Sequence, residues 1–219
     1  MNNIKYVIPC RAGSKEFPGK NRKLLSYTIN SIPKNQYDNL FFTTDDEIII
    51  NECLKCGVHQ QNILKRNLEL ALDITSTKET MLNAVQEFKF DKNDIIVMLY
   101  LTYYLRTWQD ITNIINFYQQ NNAKSLLCKK EIKTSPFLMM YELENHKGKQ
   151  VIQHDLYRRQ DYPKCFEISH FVSIFEVQEL ENLNNNLYNE NTIFYPISKW
   201  TIDVDSQEDF KQEERILYE

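Results

Sequence analysis

Apolar bursts alternate with segments of helical spacing along the first 128 residues, a rhythm that predicts strand–helix–strand units. The strand candidates are 4–9, 39–43, 62–65, 94–101 and 123–128, and between them lie helix candidates at 23–32, 46–56, 77–88 and 107–121. Asp45 stands where it can cap the second helix, and Ser76 and Thr107 can cap the third and fourth. Strands and helices alternating at these lengths predict an α/β fold: a mostly parallel sheet with helices on both faces. After Lys133 the rhythm breaks. Residues 134–175 carry two prolines and two aromatic-rich runs, 137–143 and 165–175, around the polar stretch 144–153. They read as an excursion from the main sheet, a hairpin arm. A last strand at 200–204 and a helix from Ser206 close the pattern, and the asparagine-rich stretch 182–191 reads as a surface loop.

A chain of 219 residues suits one large α/β domain with a sizeable core. Its net charge of −4 and pI near 5.7 argue against nucleic acid as the main partner, so its cations are expected to act locally on a small anionic ligand. No apolar run approaches the roughly 20 residues that span a bilayer. Met1–Lys5 lacks the apolar core of a secretory signal. Five scattered cysteines, an odd number, suit a reducing cytoplasm. Cys53 and Cys56 form a lone C-x-x-C without ligand-spaced histidines, which fits ordinary helix better than zinc.

The chemistry concentrates in residues 8–21, IPCRAGSKEFPGKN. This stretch gathers two of only four glycines, Gly13 and Gly19, with Arg11, Lys15 and Lys20, directly after the first predicted strand. Small residues let backbone N–H groups approach an anion and the cations neutralise it; phosphate suits the place best. The stretch is neither a Walker loop nor G-x-G-x-x-G, and the alternative is a basic surface loop. Near the other end, Asp203 and Asp205 are two apart, a spacing that puts both carboxylates on one face of an extended chain. Such a pair repels itself unless a cation intervenes, and Mg²⁺ is the natural candidate. The alternative is a helix start, with Ser206 as the cap. Lys65-Arg66 and Tyr157-Arg158-Arg159-Gln160-Asp161 add cations that can clamp carboxylate or phosphate, or simply be solvated. The four histidines form no nucleophile–base pattern, and covalent catalysis is unsupported.

These motifs resemble, in order, those of the acylneuraminate (CMP-nonulosonate) cytidylyltransferase family. IPCRAGSKEFPGKN resembles its A-R-x-G-S-K-x-x-P-x-K-N signature, and Thr43-Thr44-Asp45 its S-T-D. Leu64 through Arg66, Asp73 and Ser76 resemble R-P-x-x-L-A-x-D-x-x-S; Leu105-Arg106-Thr107 resembles L-R-T; Arg159 to Pro163 resembles R-Q-x-x-P; Ile202 to Asp205 resembles I-D-I-D. The resemblance spans residues 4–212 and implies a Rossmann-like nucleotidyltransferase that moves CMP from CTP to a small acidic acceptor and releases pyrophosphate. It implies that Arg11, Ala12, Gly13, Ser14, Lys15, Lys20 and Asn21 hold CTP, that Arg66, Asp73 and Ser76 line the nucleotide pocket, and that Asp203 and Asp205 hold Mg²⁺. Arg11, Lys15, Lys20 and Asp205 would act in catalysis. The 134–170 segment would be the dimerisation arm of a homodimer, carrying Arg159 to a site, that of the partner subunit included. Tyr100 and Ser169 would face the acceptor.

The departures fall at the acceptor end. Residues 100–104 read Tyr-Leu-Thr-Tyr-Tyr where the family reads Q-P-T-S-P, residues 169–174 read Ser-His-Phe-Val-Ser-Ile for N-G-A-I-Y-I, and the usual G-K-P-L after the first loop is missing. Rings at Tyr103, Tyr104 and Phe171 are expected to crowd the acceptor pocket and make N-acetylneuraminate a poor substrate. A phosphate or phosphonate acceptor giving a CDP-type product, and a non-catalytic nucleotide-binding homologue, are the alternatives.

Overall fold

Burial on both sides of the first strand sets the architecture. β1 (Ile4–Pro9) sends Tyr6 and Ile8 into one core and Val7 into another, and all three are buried. A strand buried on both faces needs a layer of helices on each. The computed structural model describes residues 3–218, from 213 onward by backbone alone, and it contains both layers. The further strands are β2 (Leu40–Thr44), β3 (Ile63–Lys65), β4 (Ile95–Met98), β5 (Ser125–Glu131), β6 (Met140–Glu142), β7 (Gly148–Gln150), β8 (Phe166–Glu176) and β9 (Ile193–Pro196). The helices are α1 (Lys20–Asn30), α2 (Glu47–Lys55), α3 (Thr77–Phe88), α4 (Trp108–Gln120) and α5 (Gln207–Tyr218).

Seven strands form one sheet in the order β3-β2-β1-β4-β8-β5-β9. β1 to β4 are mutually parallel and β9 runs parallel to β5, while β8 lies antiparallel between β4 and β5. This is the expected mostly parallel sheet with one reversed strand near its middle. Leu24, Leu25 and Ile29 of α1, Ile49 and Cys53 of α2, and Ile111 and Ile114 of α4 pack with Tyr6 and Ile8. Met81 and Ala84 of α3 cover the opposite face with Val7, Ile96 and Met98.

Several expectations need correction. β8 takes residues 166–176 out of the anticipated excursion and into the main sheet; residues 171–176 are all buried there. Residues 200–204 form no strand; Val204 N–H donates to the Thr102 carbonyl at 3.2 Å and Lys130 Nζ to the Thr201 carbonyl at 3.0 Å. The edge strand instead is β9, which stops at Pro196, a residue with no N–H for a ladder. The cap of α2 is Asp46, whose carboxylate accepts from Ile48 N–H, because the Asp45 carboxylate accepts from Ala12 N–H at 2.8 Å. Gly19, at φ 74°, lets α1 begin at Lys20, three residues earlier than the apolar pattern indicated. Ser76 and Thr107 do cap α3 and α4, each in a capping box. Within the excursion, β6 and β7 form a separate two-stranded hairpin.

Candidate active site

The strand order reverses direction between β1 and β4, and open α/β sheets bind ligands outside the strand ends at such a switch point. A cleft of about 550 Å³ opens there. Its walls are the loop after β1, the strap 66–76 after β3, the first turn of α3 and the segment after β4, with Asp205 at the rim. No side chain caps the start of α1, so Lys20 and Asn21 line the cleft at a helix terminus that carries partial positive charge.

Hydrogen bonds and ring packing hold the glycine-rich loop. Asn21 Nδ2 donates to the Arg11 carbonyl at 2.8 Å, and Ala12 is tied to Asp45. Buried Phe17 packs on Phe210 of α5, with ring centroids 5.9 Å apart. Arg22 donates to the buried Asp46 carboxylate at 2.6 Å, fixing α1 against α2. The loop is therefore shaped before any ligand arrives, the condition for cheap electrostatic stabilisation.

Four cations face the cleft: Arg11, Lys15, Lys20 and Arg66. Asp73 on the strap pairs with both Arg11 and Lys15. Hydrogen bonds from Lys15 and then Arg11 hold its carboxyl below the usual value of 3.8. Lys20 Nζ lies 2.8 Å from Asp205. Arg66 is buried; it donates to the Thr43 carbonyl at 2.8 Å and the Leu70 carbonyl at 3.3 Å, and desolvation lowers its pKa. Asp203 and Asp205 are both exposed and flank buried Val204; Asp205 lines the cleft and pairs with Lys20, whereas Asp203 lies against Tyr103. Among the described residues no cluster of three or more His, Cys, Asp or Glu side chains gathers that could hold a metal ion. Exposed carboxylates such as Asp205 and Asp203 still suit Mg²⁺, which takes one or two and completes its shell with phosphates and water.

The cleft brings together Arg11, Gly13, Ser14, Lys15, Lys20, Asn21, Arg66, Asp73, Tyr100 and Asp205. Other candidates sit elsewhere. Ser76 is occupied as the cap of α3, exchanging hydrogen bonds with Glu79. Ser169 is buried, and its hydroxyl donates to Tyr103 Oη at 3.2 Å. Arg159 is exposed in a short turn of the arm and does not line the cleft. Asp203 lies beside Tyr103, whose pKa burial raises, with Asp203 adding to the effect. Tyr103, Tyr104 and Phe171 point into the core, which corrects the expectation that their rings crowd the acceptor. Tyr100 does reach the cleft, its hydroxyl bonded to Thr77 Oγ1 and its ring edge-on to His170 at 5.7 Å. Thr75, Thr77, Thr80 and Thr102 also line the cleft and were not singled out from the sequence. The i, i+3 spacing of Thr77 and Thr80, just after a recognisable cap, could have identified one shared helix face.

The sheet, the switch-point cleft and its cations define a nucleotide-handling α/β protein. Solved structures agree in fold: a CMP:2-keto-3-deoxy-manno-octonic acid synthetase complexed with CTP superposes at a TM-score of 0.70, with 11% identity and 99% of each chain covered. A 4-diphosphocytidyl-2C-methyl-D-erythritol synthase from Anaerococcus prevotii gives 0.66, with 14% identity, 100% of this chain and 97% of the other. Residues 6–219 match the family model described as cytidylyltransferase, and the chain belongs to that family of CTP-dependent nucleotidyltransferases. Among curated proteins, it is 27% identical to the post-translational flagellin modification protein B of Campylobacter coli, over 100% of this chain and 97% of the other. It is 27% identical to the CMP-N,N'-diacetyllegionaminic acid synthase of Campylobacter jejuni, over 99% and 96%. It is 25% identical to an N-acylneuraminate cytidylyltransferase of Streptococcus agalactiae over 93% of this chain, and spans about half the length of that relative, 51%. The motif-level resemblance to CMP-nonulosonate cytidylyltransferases is therefore borne out.

Proposed function

We propose that this protein transfers CMP from CTP to an acidic sugar of the nonulosonic acid class. In the reaction an acceptor hydroxyl oxygen bonds to the α-phosphorus of CTP and the α–β anhydride bond breaks. Its electron pair leaves with pyrophosphate, and the hydroxyl proton goes to water. The observation that carries this reading is one cleft lined by Arg11, Lys15, Lys20, Arg66 and Asp205, in a chain that belongs to the cytidylyltransferase family. Nucleotidyl transfer asks little covalent chemistry of a protein; positioning and charge neutralisation carry it. Arg11, Lys15 and Lys20 hold the β- and γ-phosphates and the departing pyrophosphate. Asp203 and Asp205 would hold Mg²⁺, which supplies positive charge to the phosphates when bound.

The acceptor end is the segment after β4, where Tyr100 presents its ring and a hydroxyl already bonded to Thr77. Discrimination against N-acetylneuraminate then rests on Tyr100, standing where the family usually has glutamine. An amide-for-phenol exchange leaves substrate polar groups unpaired, which can cost a large factor in efficiency. The arm is read as a dimer contact that brings Arg159 to a second copy's site; its exposed Leu138, Met139, Met140, Tyr141 and Leu143 support that reading. No helix of the described residues is long and apolar enough to cross a membrane, and the five free thiols suit a cytoplasmic location.

The test is incubation with CTP, Mg²⁺ and, separately, pseudaminic, N,N'-diacetyllegionaminic and N-acetylneuraminic acids, with products read by mass. A CMP-sugar from one of the first two, with little from the third, is expected. Efficient CMP-N-acetylneuraminate formation would refute the Tyr100 assignment. A CDP-type product from a phosphorylated acceptor alone would move the acceptor to another class.

A further inference from the structure

Asp73 presents a carboxylate to two of the three cations that the proposed reaction reserves for phosphate. It pairs with Arg11 and with Lys15 at once, bridging from the strap to the glycine-rich loop across the mouth of the cleft. The strap is built to carry such a group independently of the loop. Its own turn is closed by Thr75 N–H to the Leu72 carbonyl at 3.2 Å and by Thr75 Oγ1 to the Glu69 carbonyl at 3.1 Å. Arg66 anchors its near end through the Leu70 carbonyl, and its flanking apolar residues, Leu72 and Ile74, are exposed rather than packed. Among the described contacts, the Asp73 pairs are what join the strap's tip to the loop.

We infer that Asp73 is an internal competitor for the pyrophosphate half of the substrate. It yields Arg11 and Lys15 to the β- and γ-phosphates when CTP binds, and it reclaims them as pyrophosphate leaves. The pairs are half-exposed to exposed, so each is weak enough to exchange. A carboxylate carries one charge against the several of pyrophosphate, so it loses to bound CTP and still lowers the barrier to product departure. A carboxylate on the nucleotide's side, bonding a ribose hydroxyl or the metal, would act with the opposite sign. Removing it would weaken CTP, whereas removing a competitor tightens it.

The inference rests on the reading that Arg11 and Lys15 receive the β- and γ-phosphates, and calorimetry separates the two. CTP, inorganic pyrophosphate and CMP are titrated, at fixed Mg²⁺, into the wild type, Asp73→Asn, Asp73→Glu and Arg11→Ala. Asp73→Asn is expected to bind CTP and pyrophosphate about twofold to thirtyfold more tightly, the sum of two exposed pairs. CMP, which lacks the outer phosphates, should change less than twofold, and Asp73→Glu should return to the wild-type side. Weaker or unchanged pyrophosphate binding by Asp73→Asn, with Arg11→Ala impaired, overturns the competitor role while leaving the phosphate site standing. Equal tightening of CMP also overturns it, as general charge removal. Arg11→Ala binding pyrophosphate as well as wild type overturns the underlying reading itself.

Discussion

Lys20 and Lys15 both face the cleft, but water surrounds them very differently, so their removal should have unequal effects. The Lys20 side chain is 11% exposed and lies at the first turn of α1, and that of Lys15 is 84% exposed at the loop's outer edge. A charge-assisted contact shielded from solvent contributes about 1.5–3 kcal/mol. An exposed pair contributes roughly 0.2–1 kcal/mol and is screened over a Debye length of about 8 Å at physiological salt. At about 1.4 kcal/mol per tenfold, Lys20→Ala should weaken CTP roughly 10- to 150-fold, and Lys15→Ala only about 1.5- to 5-fold. Lys20→Ala also frees Asp205, which at 68% exposure is hydrated without its partner, so thermal stability should hold. Calorimetric titration of CTP into both variants at two salt concentrations is the assay, with the Lys15 effect shrinking further at high salt. A loss for Lys15→Ala equal to or larger than that for Lys20→Ala would refute the reasoning, because the triphosphate would then lie at the outer mouth.

Ser76→Ala removes the reciprocal capping of α3 and should cost about 1 kcal/mol of stability, read as a lower denaturant midpoint; an unchanged midpoint would contradict the capping role. Lys15 and Arg11 depress the Asp73 carboxyl, so it should titrate below 3.8 by carbon-13 shift. The contribution of the Asp73 pairs with Arg11 and Lys15 is thus present above the unfolded value and lost as pH falls through the lowered folded value, and a midpoint at or above 3.8 would contradict the pairing. The exposed apolar arm predicts a dimer at micromolar concentration by light scattering, and a monomer with the arm resistant to protease would contradict that.

Local signals explain which elements were legible. Ile4–Pro9 and Thr77–Phe88 appear with the boundaries the sequence indicated, since one is a short apolar run and the other opens with Ser76 and Glu79. β8 was hidden because its pairing is non-local: an aromatic run after a long polar stretch reads the same whether it leaves the sheet or returns between β4 and β5. Residues 200–204 have the alternation of a strand, but a ladder also needs a free neighbouring edge, which a single sequence does not encode. Asp45 and Asp46 are equivalent as caps on paper; the contact of Asp45 with Ala12, 33 residues away, decides between them. The cleft-lining residues between Arg11 and Asn21 are legible because small residues and cations cluster in sequence. The segment after β4 is less legible, since the inward turn of its rings follows from non-local packing: Tyr103 meets Phe171 of β8, and Tyr104 meets Tyr27 of α1 and Phe210 of α5. Buried Arg106 belongs to that packing: it donates to the Tyr100 and Phe171 carbonyls, and desolvation lowers its pKa to about 10.

Release of pyrophosphate from CTP in the switch-point cleft is proposed to require Mg²⁺ and Asp205. Pyrophosphate release with pseudaminic or N,N'-diacetyllegionaminic acid as acceptor, measured for the wild type and Asp205→Asn, tests it most directly. The wild type should release pyrophosphate until Mg²⁺ is chelated, and the variant, with circular dichroism matching wild type, should release none above background. Full activity of Asp205→Asn in Mg²⁺ would contradict it.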